Sequence, residues 1–144
     1  MAGNITSANS VLALGVASLY TIPQQLQGFA ADDAYTVDAV DAAEVVLGVD
    51  GKKSAGWIPQ IKIMNITLQG DSDSNTFFES WYAAQEAGRV TYPAFGIITQ
   101  ESVGRTYALT NGTLVNYAPI SDAGKTLRPR KFSIHWESII GAQL

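Results

Sequence analysis

His135 is the only histidine in this 144-residue chain, and cysteine is absent. Thiolate nucleophiles, cysteine-based zinc sites and disulfide frameworks are therefore excluded. His135 sits between Ser133 and Glu137 on the polar positions of an alternating segment. No G-x-S-x-G elbow accompanies it, so it is expected as a surface or interface residue rather than a base in a triad. Asp71-Ser72-Asp73-Ser74-Asn75 begins like a calcium loop, but that loop needs Gly at its sixth position and Glu at its twelfth. Thr76 and Tyr82 stand there, and helix capping accounts for the same residues. Asp32-Asp33 could act as paired carboxylates in acid–base or two-metal chemistry. No second carboxylate motif at helical spacing and no basic phosphate clamp accompanies the pair, so a solvated acidic loop is the simpler expectation. Gly48, Gly51 and Gly56 fall in strand and turn contexts and open no helix, which removes a phosphate loop. The residues predict no enzyme, no metal site and no cofactor.

Charge offers a better handle. The first 51 residues hold six acids (Asp32, Asp33, Asp38, Asp41, Glu44 and Asp50) and no lysine, arginine or histidine. Residues 52–144 hold seven acids against nine bases, four of which are Lys125, Arg128, Arg130 and Lys131. The net charge of −4 and pI of about 4.7 are far from the basic profile of a nucleic-acid binder. The late basic cluster is better suited to pairing with acids on a neighbouring subunit. A chain polarised in this way presents one surface that repels polyanions and another that pairs with acidic neighbours.

The elements that must position these residues are mostly strands. Val11–Val16 is an apolar run with Leu12, Leu14 and Val16 on one face, and Pro23 makes the following Tyr20–Leu26 an edge strand or a bend. Alternation over about 33–40 and 43–50 predicts two strands whose odd residues (Tyr35, Val37, Ala39; Val45, Leu47, Val49) pack inward and whose even residues are acidic. Asp50-Gly51 is a turn dipeptide, residues 51–56 read as an exposed loop tip, and a strand is expected over about 57–69. Its apolar parity switches from Ile61 and Ile63 to Met64, Ile66 and Leu68, which implies a bulge or burial on both faces. Phe77, Trp81 and Ala84 recur at helical spacing. A capping box at Thr76–Glu79 and Gly88 as the closing glycine bound an amphipathic helix of about 75–87. Tyr92–Gln100 is a further strand. Asn111-Gly112 predicts a hairpin between 105–110 and 113–117. After a polar connection over 121–130, Phe132, Ile134 and Trp136 alternate through a strand at 131–139. The expected fold is mainly β: an antiparallel β-sandwich or barrel with one flanking α-helix.

At 144 residues the chain is one domain's worth, 1–144. Charged residues make up 15%, against about 25% in ordinary globular domains, which suggests that much of the surface faces other protein. No apolar run approaches the roughly 18–20 residues of a membrane span. The start Met1-Ala2-Gly3-Asn4 lacks a basic leader region, so assembly inside a cell is expected, and the N-x-[ST] triplets at Asn4, Asn65 and Asn111 are read as chance.

The segments Gly28–Val37 and Gly48–Gly51, then Ile66-Thr67-Leu68-Gln69, Ser72–Asn75, Phe78–Gln85 and Pro129–Ser138, resemble in order and spacing the tail tube proteins of contractile-tailed bacteriophages. The likeness spans about 28–138. It implies the tube fold shared with type VI secretion tube proteins, and six copies forming a ring, with rings stacked into a hollow tube inside a contractile sheath. It also implies a location in the phage tail after assembly in the host cytoplasm, a lumen that conducts the genome without binding it, no membrane anchor, and a long loop between early strands that contacts the next ring. On this picture Asp38 and Glu44 are expected to line the lumen. Asp32, Asp33, Asp50, Lys52, Lys53, Arg128 and Arg130 are expected at subunit or ring contacts. The competing expectation is a monomeric β-sandwich that binds a carbohydrate or peptide on exposed aromatics such as Trp57, Tyr92 or Tyr117.

Overall fold

A computed structural model describes residues 10–27, 29 and 35–144. Seven strands form one antiparallel sheet: β1 (Ser10–Val16), β2 (Tyr20–Gln25), β3 (Tyr35–Val37), β6 (Lys62–Leu68), β7 (Ala94–Gln100), β8 (Arg105–Tyr117) and β9 (Arg130–Gln143). Their order across the sheet is β2-β1-β7-β8-β9-β6-β3. The remaining two, β4 (Ala43–Leu47) and β5 (Lys53–Trp57), pair only with each other. The helix α1 (Asn75–Gly88) connects β6 to β7.

The architecture is the mainly β, one-helix fold that the sequence predicts, with the sheet curled but not closed into a barrel. The curl brings together strands four places apart: the Gln100 amide at the end of β7 donates to the Tyr35 hydroxyl on β3 at 3.0 Å. Both edges resist closure. Pro23 removes a donor from β2, as an edge strand tolerates, and β3 is only three residues long.

Alternation decides what the curl encloses. Leu12, Leu14 and Val16 of β1 are buried, with Met64, Ile66 and Leu68 of β6 and Phe132, Ile134 and Trp136 of β9. Helix α1 closes this core with Phe77, Phe78 and Trp81. Phe78 stacks on Phe132 with centroids 4.2 Å apart, Phe77 meets Tyr20 at 4.8 Å, and the Trp81 indole donates to the Tyr92 carbonyl at 3.1 Å. Each such side chain contributes about 1.5–3 kcal/mol by leaving water, so the helix is held by its aromatic face rather than by its ends.

Those ends differ from the expected capping box and glycine stop. Ser74 is the N-cap residue and makes no capping bond. Its hydroxyl instead accepts from the backbone N–H of Gln27 at 2.7 Å, and the Ser72 hydroxyl donates to the Gln27 carbonyl. The serines thus tie the helix start to the exit of β2. Gly88 is the last helical residue, and Arg89 takes the left-handed turn at φ 53°.

The expected hairpin at Asn111-Gly112 is also absent, because β8 runs straight through it. Asn111 adopts φ 51° where the β7–β8 register shifts between Ala94 and Gly96. The left-handed preference of Asn serves a bulge here instead of a turn. Gly112 follows because its Cα lies on the buried Trp136 ring: a Cβ there would stand 2.5 Å from Cζ3 and 2.6 Å from Cε3. Further along, the expected strand over 57–69 divides. Trp57 ends β5, Ile61 lies outside both strands, and the parity switch marks the start of β6 rather than a strand buried on both faces.

Candidate functional site

The pair β4–β5 projects from the sheet as a hairpin. Ala43 stands opposite Trp57 and Leu47 opposite Lys53. The tip is closed by Gly48 N–H to the Lys52 carbonyl at 2.8 Å and by Lys52 N–H to Asp50 Oδ1 at 3.0 Å. Gly51 supplies the φ of 83° that this turn requires, as Asp50-Gly51 predicts. The expected inward packing of Val45, Leu47 and Val49 does not occur. All three are exposed, with Val46 and Trp57; Leu47 retains 72% of its surface and Trp57 80%. Alternation needs a second layer to make one face a core, and no other strand among the described residues pairs with this hairpin.

At the hairpin's base, an open groove of about 700 Å³ runs between Trp57, Pro59 and Ile61 on one side and Thr113, Val115 and His135 on the sheet. Glu137 and Lys62 also line it. The Glu137 carboxylate accepts from Asn111 Nδ2 at 2.5 Å, and the Lys62 ammonium donates to the Glu137 carbonyl at 3.1 Å. His135 lines this groove half-buried.

The acids expected along a channel wall lie on or beside this arm. Asp38 extends the β3–β6 pairing through its N–H to the Ile63 carbonyl at 3.0 Å, and its side chain is exposed. Glu44 is exposed on β4 opposite Gly56. Among the expected contact residues, Asp50, Lys52 and Lys53 cluster at the hairpin tip, and Arg128 is exposed in the connection before β9. Asp32 and Asp33 lie outside the described residues.

Arg130 is placed differently. It is 5% exposed and satisfied inside the chain. Its Nη1 pairs with Glu79 of α1 at 2.7 Å. Nη2 donates to the carbonyls of Ala118 at 2.8 Å and Pro119 at 3.1 Å, and its guanidinium lies 5.4 Å from the centre of the Phe132 ring. Parity on β9 carries the signal: Arg130 shares its face with Phe132, Ile134 and Trp136, whereas Lys131 points the other way.

Of the aromatics expected on a binding platform, Trp57 is exposed at the groove, away from the other two. Tyr92 and Tyr117 are half-buried, and Tyr117 stacks on Tyr82 at 4.4 Å. Among the described residues no group of three or more His, Cys, Asp or Glu could hold a metal ion, and no helix is long and apolar enough to cross a membrane.

The family model of tail fiber protein gp32 matches residues 3–140. The chain belongs to that family. It is a phage-tail-like structural protein. No curated protein matches it in sequence. Among solved structures, it resembles a chain of the anti-feeding prophage tube terminating cap with a TM-score of 0.64 at 9% identity, over 100% of this chain and 94% of that one. A chain of the six-fold symmetrised anti-feeding prophage baseplate gives 0.63 at 8%, over 99% and 98%. A chain of the sheath/tube terminator from an extracellular contractile injection system gives 0.62 at 10%, over 99% of both. At such identities the likeness is one of fold.

Proposed function

We propose that this tail protein is a tube subunit: six copies form a ring, and rings stack into the hollow inner tube of a contractile tail through which the genome leaves. The observation that carries this reading is the β4–β5 hairpin. Isolated two-stranded hairpins are marginal in water, and this one exposes Val45, Val46, Leu47, Val49 and Trp57. An arm of that composition is suited to burial against another subunit, where each of the larger side chains contributes about 1.5–3 kcal/mol before the cost of association. The two sheet edges, β2 and β3, which no other strand among the described residues covers, give neighbours a further place to join. The full-length fold match to a chain of a six-fold symmetrised assembly supports rings of six. Exposed Asp38 and Glu44 suit a wall that must not hold DNA, since each lysine or arginine there would bind a phosphate.

A second reading has its own support. Two of the fold neighbours are chains of a tube terminating cap and of a sheath/tube terminator, beside one from a sheath-tube complex, and a terminating subunit ends a tube instead of extending it. Negative-stain microscopy of the purified chain tests both. Tubes of many stacked rings are the expected result. Single or paired rings favour the terminating role, and a monodisperse monomer at high concentration overturns both readings.

A further inference from the structure

Three side chains with complementary chemistry meet at the groove: Lys62 of β6, Asn111 of β8 and Glu137 of β9. We propose that they form an autocatalytic cross-link. The Lys62 amine displaces ammonia from the Asn111 side chain, Glu137 carries the proton, and an isopeptide bond then joins β6 to β8 across β9.

The first argument is position. Lys62 and Gly112 both stand opposite Trp136 of β9, so the two reacting strands flank a single strand and lie about 10 Å apart. The four-carbon stem of a lysine and the short arm of an asparagine together cover that span. The second argument is that both side chains already hold Glu137. The Lys62 ammonium donates to its backbone carbonyl at 3.1 Å, and Asn111 Nδ2 donates to its carboxylate Oε2 at 2.5 Å. One residue therefore orients both the nucleophile and the leaving group. The third is freedom to react. Among the described residues the one ion pair within 4 Å joins Arg130 to Glu79, so no carboxylate there holds the Lys62 ammonium. His135 is the remaining titratable side chain of the groove. Asn111 sits at the bulge with φ 51° and is exposed, so its amide has room to turn toward the amine.

The step balances within the chain. The neutral Lys62 Nζ adds to Asn111 Cγ, and the Glu137 carboxylate takes up the proton that Nζ sheds. That proton passes to Nδ2, the Cγ–Nδ2 bond breaks, and ammonia leaves. One C–N bond replaces another, no oxidant or cofactor enters, and Glu137 returns as a carboxylate after serving as general base and then general acid. Each chain reacts once, so this is self-modification without turnover. A bond between residues 62 and 111 constrains the unfolded chain as a disulfide would, in a protein that has no cysteine. It also ties β6, the strand that follows the β4–β5 arm, to the long strand β8, and so fixes the base from which the arm projects.

Intact-mass spectrometry of the folded chain provides the test. The protein is held at about pH 9, where more lysine is neutral than at physiological pH, and sampled over days. The expected result is the loss of one ammonia, with a branched peptide joining residues 62 and 111 in tandem spectra. Lys62→Arg, whose guanidinium stays protonated, and Asn111→Gly, which accepts the positive φ, are expected to abolish the loss. Glu137→Gln is expected to slow it by roughly a hundredfold. Circular dichroism checks that each variant is folded, and the branched peptide of the unmutated chain decides the matter where a variant is not. A folded chain that keeps its full mass overturns the proposal. Loss of ammonia that survives in Lys62→Arg also overturns it, because the Gly112 nitrogen has then attacked Asn111 to give a succinimide. Neither outcome bears on the tube reading, which the cross-link does not require.

Discussion

Replacing Arg130 with alanine separates an internal brace from a subunit contact. The guanidinium donates to Glu79, Ala118 O and Pro119 O, with a further Nε bond to Ala118 O at 3.2 Å. Ordinary hydrogen bonds contribute about 0.5–1.5 kcal/mol net, and those to charged groups about 1.5–3. The Glu79 side chain is 50% exposed, so water screens the ion pair and its share belongs near the bottom of that range. The two carbonyl acceptors, left beside the cavity of the lost side chain, add roughly 1 kcal/mol or more. Arg130→Ala is therefore expected to destabilise the unassembled chain by about 3 kcal/mol. For a domain of this size that corresponds to a fall of roughly 10 °C in Tm. Glu79→Gln, which keeps a hydrogen-bond acceptor and leaves the guanidinium its carbonyls, is expected to cost about 1 kcal/mol. The assay is thermal unfolding by circular dichroism below the assembly concentration. If Arg130→Ala leaves the monomer's Tm unchanged while abolishing assembly, the residue acts between subunits and the internal bracing is refuted.

Two further outcomes follow from other parts of the fold. Gly112→Ala drives a methyl group into the Trp136 ring at 2.5–2.9 Å. Because that ring is fully buried, overpacking of about 1–3 kcal/mol is expected in urea unfolding, and an unchanged midpoint would show that the ring can shift. Asp38→Lys/Glu44→Lys is expected to slow DNA ejection from assembled particles in a salt-dependent way, with assembly intact, because each new lysine–phosphate pair weakens with log salt at a slope of about 0.9. Ejection at the normal rate at low salt would remove these residues from the channel wall.

Much of this architecture is legible in the residues, and the failures have physical causes. The helix shows because Phe77, Trp81 and Ala84 share one face at helical spacing, and β9 shows because Phe132, Ile134 and Trp136 alternate without interruption. The hairpin misleads because Val45, Leu47 and Val49 alternate as well. Alternation reports that a strand has two unlike faces, and it carries no information on whether a second layer lies within one chain or in the next. Asn111-Gly112 misleads because a left-handed Asn serves a bulge as readily as a turn, and only the position of Trp136 decides between them. The groove is invisible in sequence, since it joins Trp57, Val115 and His135 from segments with no local pattern in common. Arg130 is misplaced by reading Lys125–Lys131 as one basic surface, when strand parity sends Arg130 inward and Lys131 out.

The acidic bias of the early chain acquires a second use from this geometry. An exposed, valine-rich hairpin with open strand edges is a template for pairing with its own kind. Arms of neighbouring copies laid edge to edge would pair strand on strand. Asp38, Asp41, Glu44 and Asp50 all lie exposed on or beside that arm, while its bases, Lys52 and Lys53, are confined to the tip turn and its junction with β5. Two arms laid antiparallel or parallel along their strands bring like carboxylates together, which costs free energy at short range. A tip that meets a neighbour end-on instead offers its lysines to that neighbour's acids. Single pairs of this kind contribute no more than about 1 kcal/mol in water, too little to drive assembly, but they act with opposite sign on the right and wrong encounters. The apolar residues then supply the affinity, and the charges select the geometry in which it is realised.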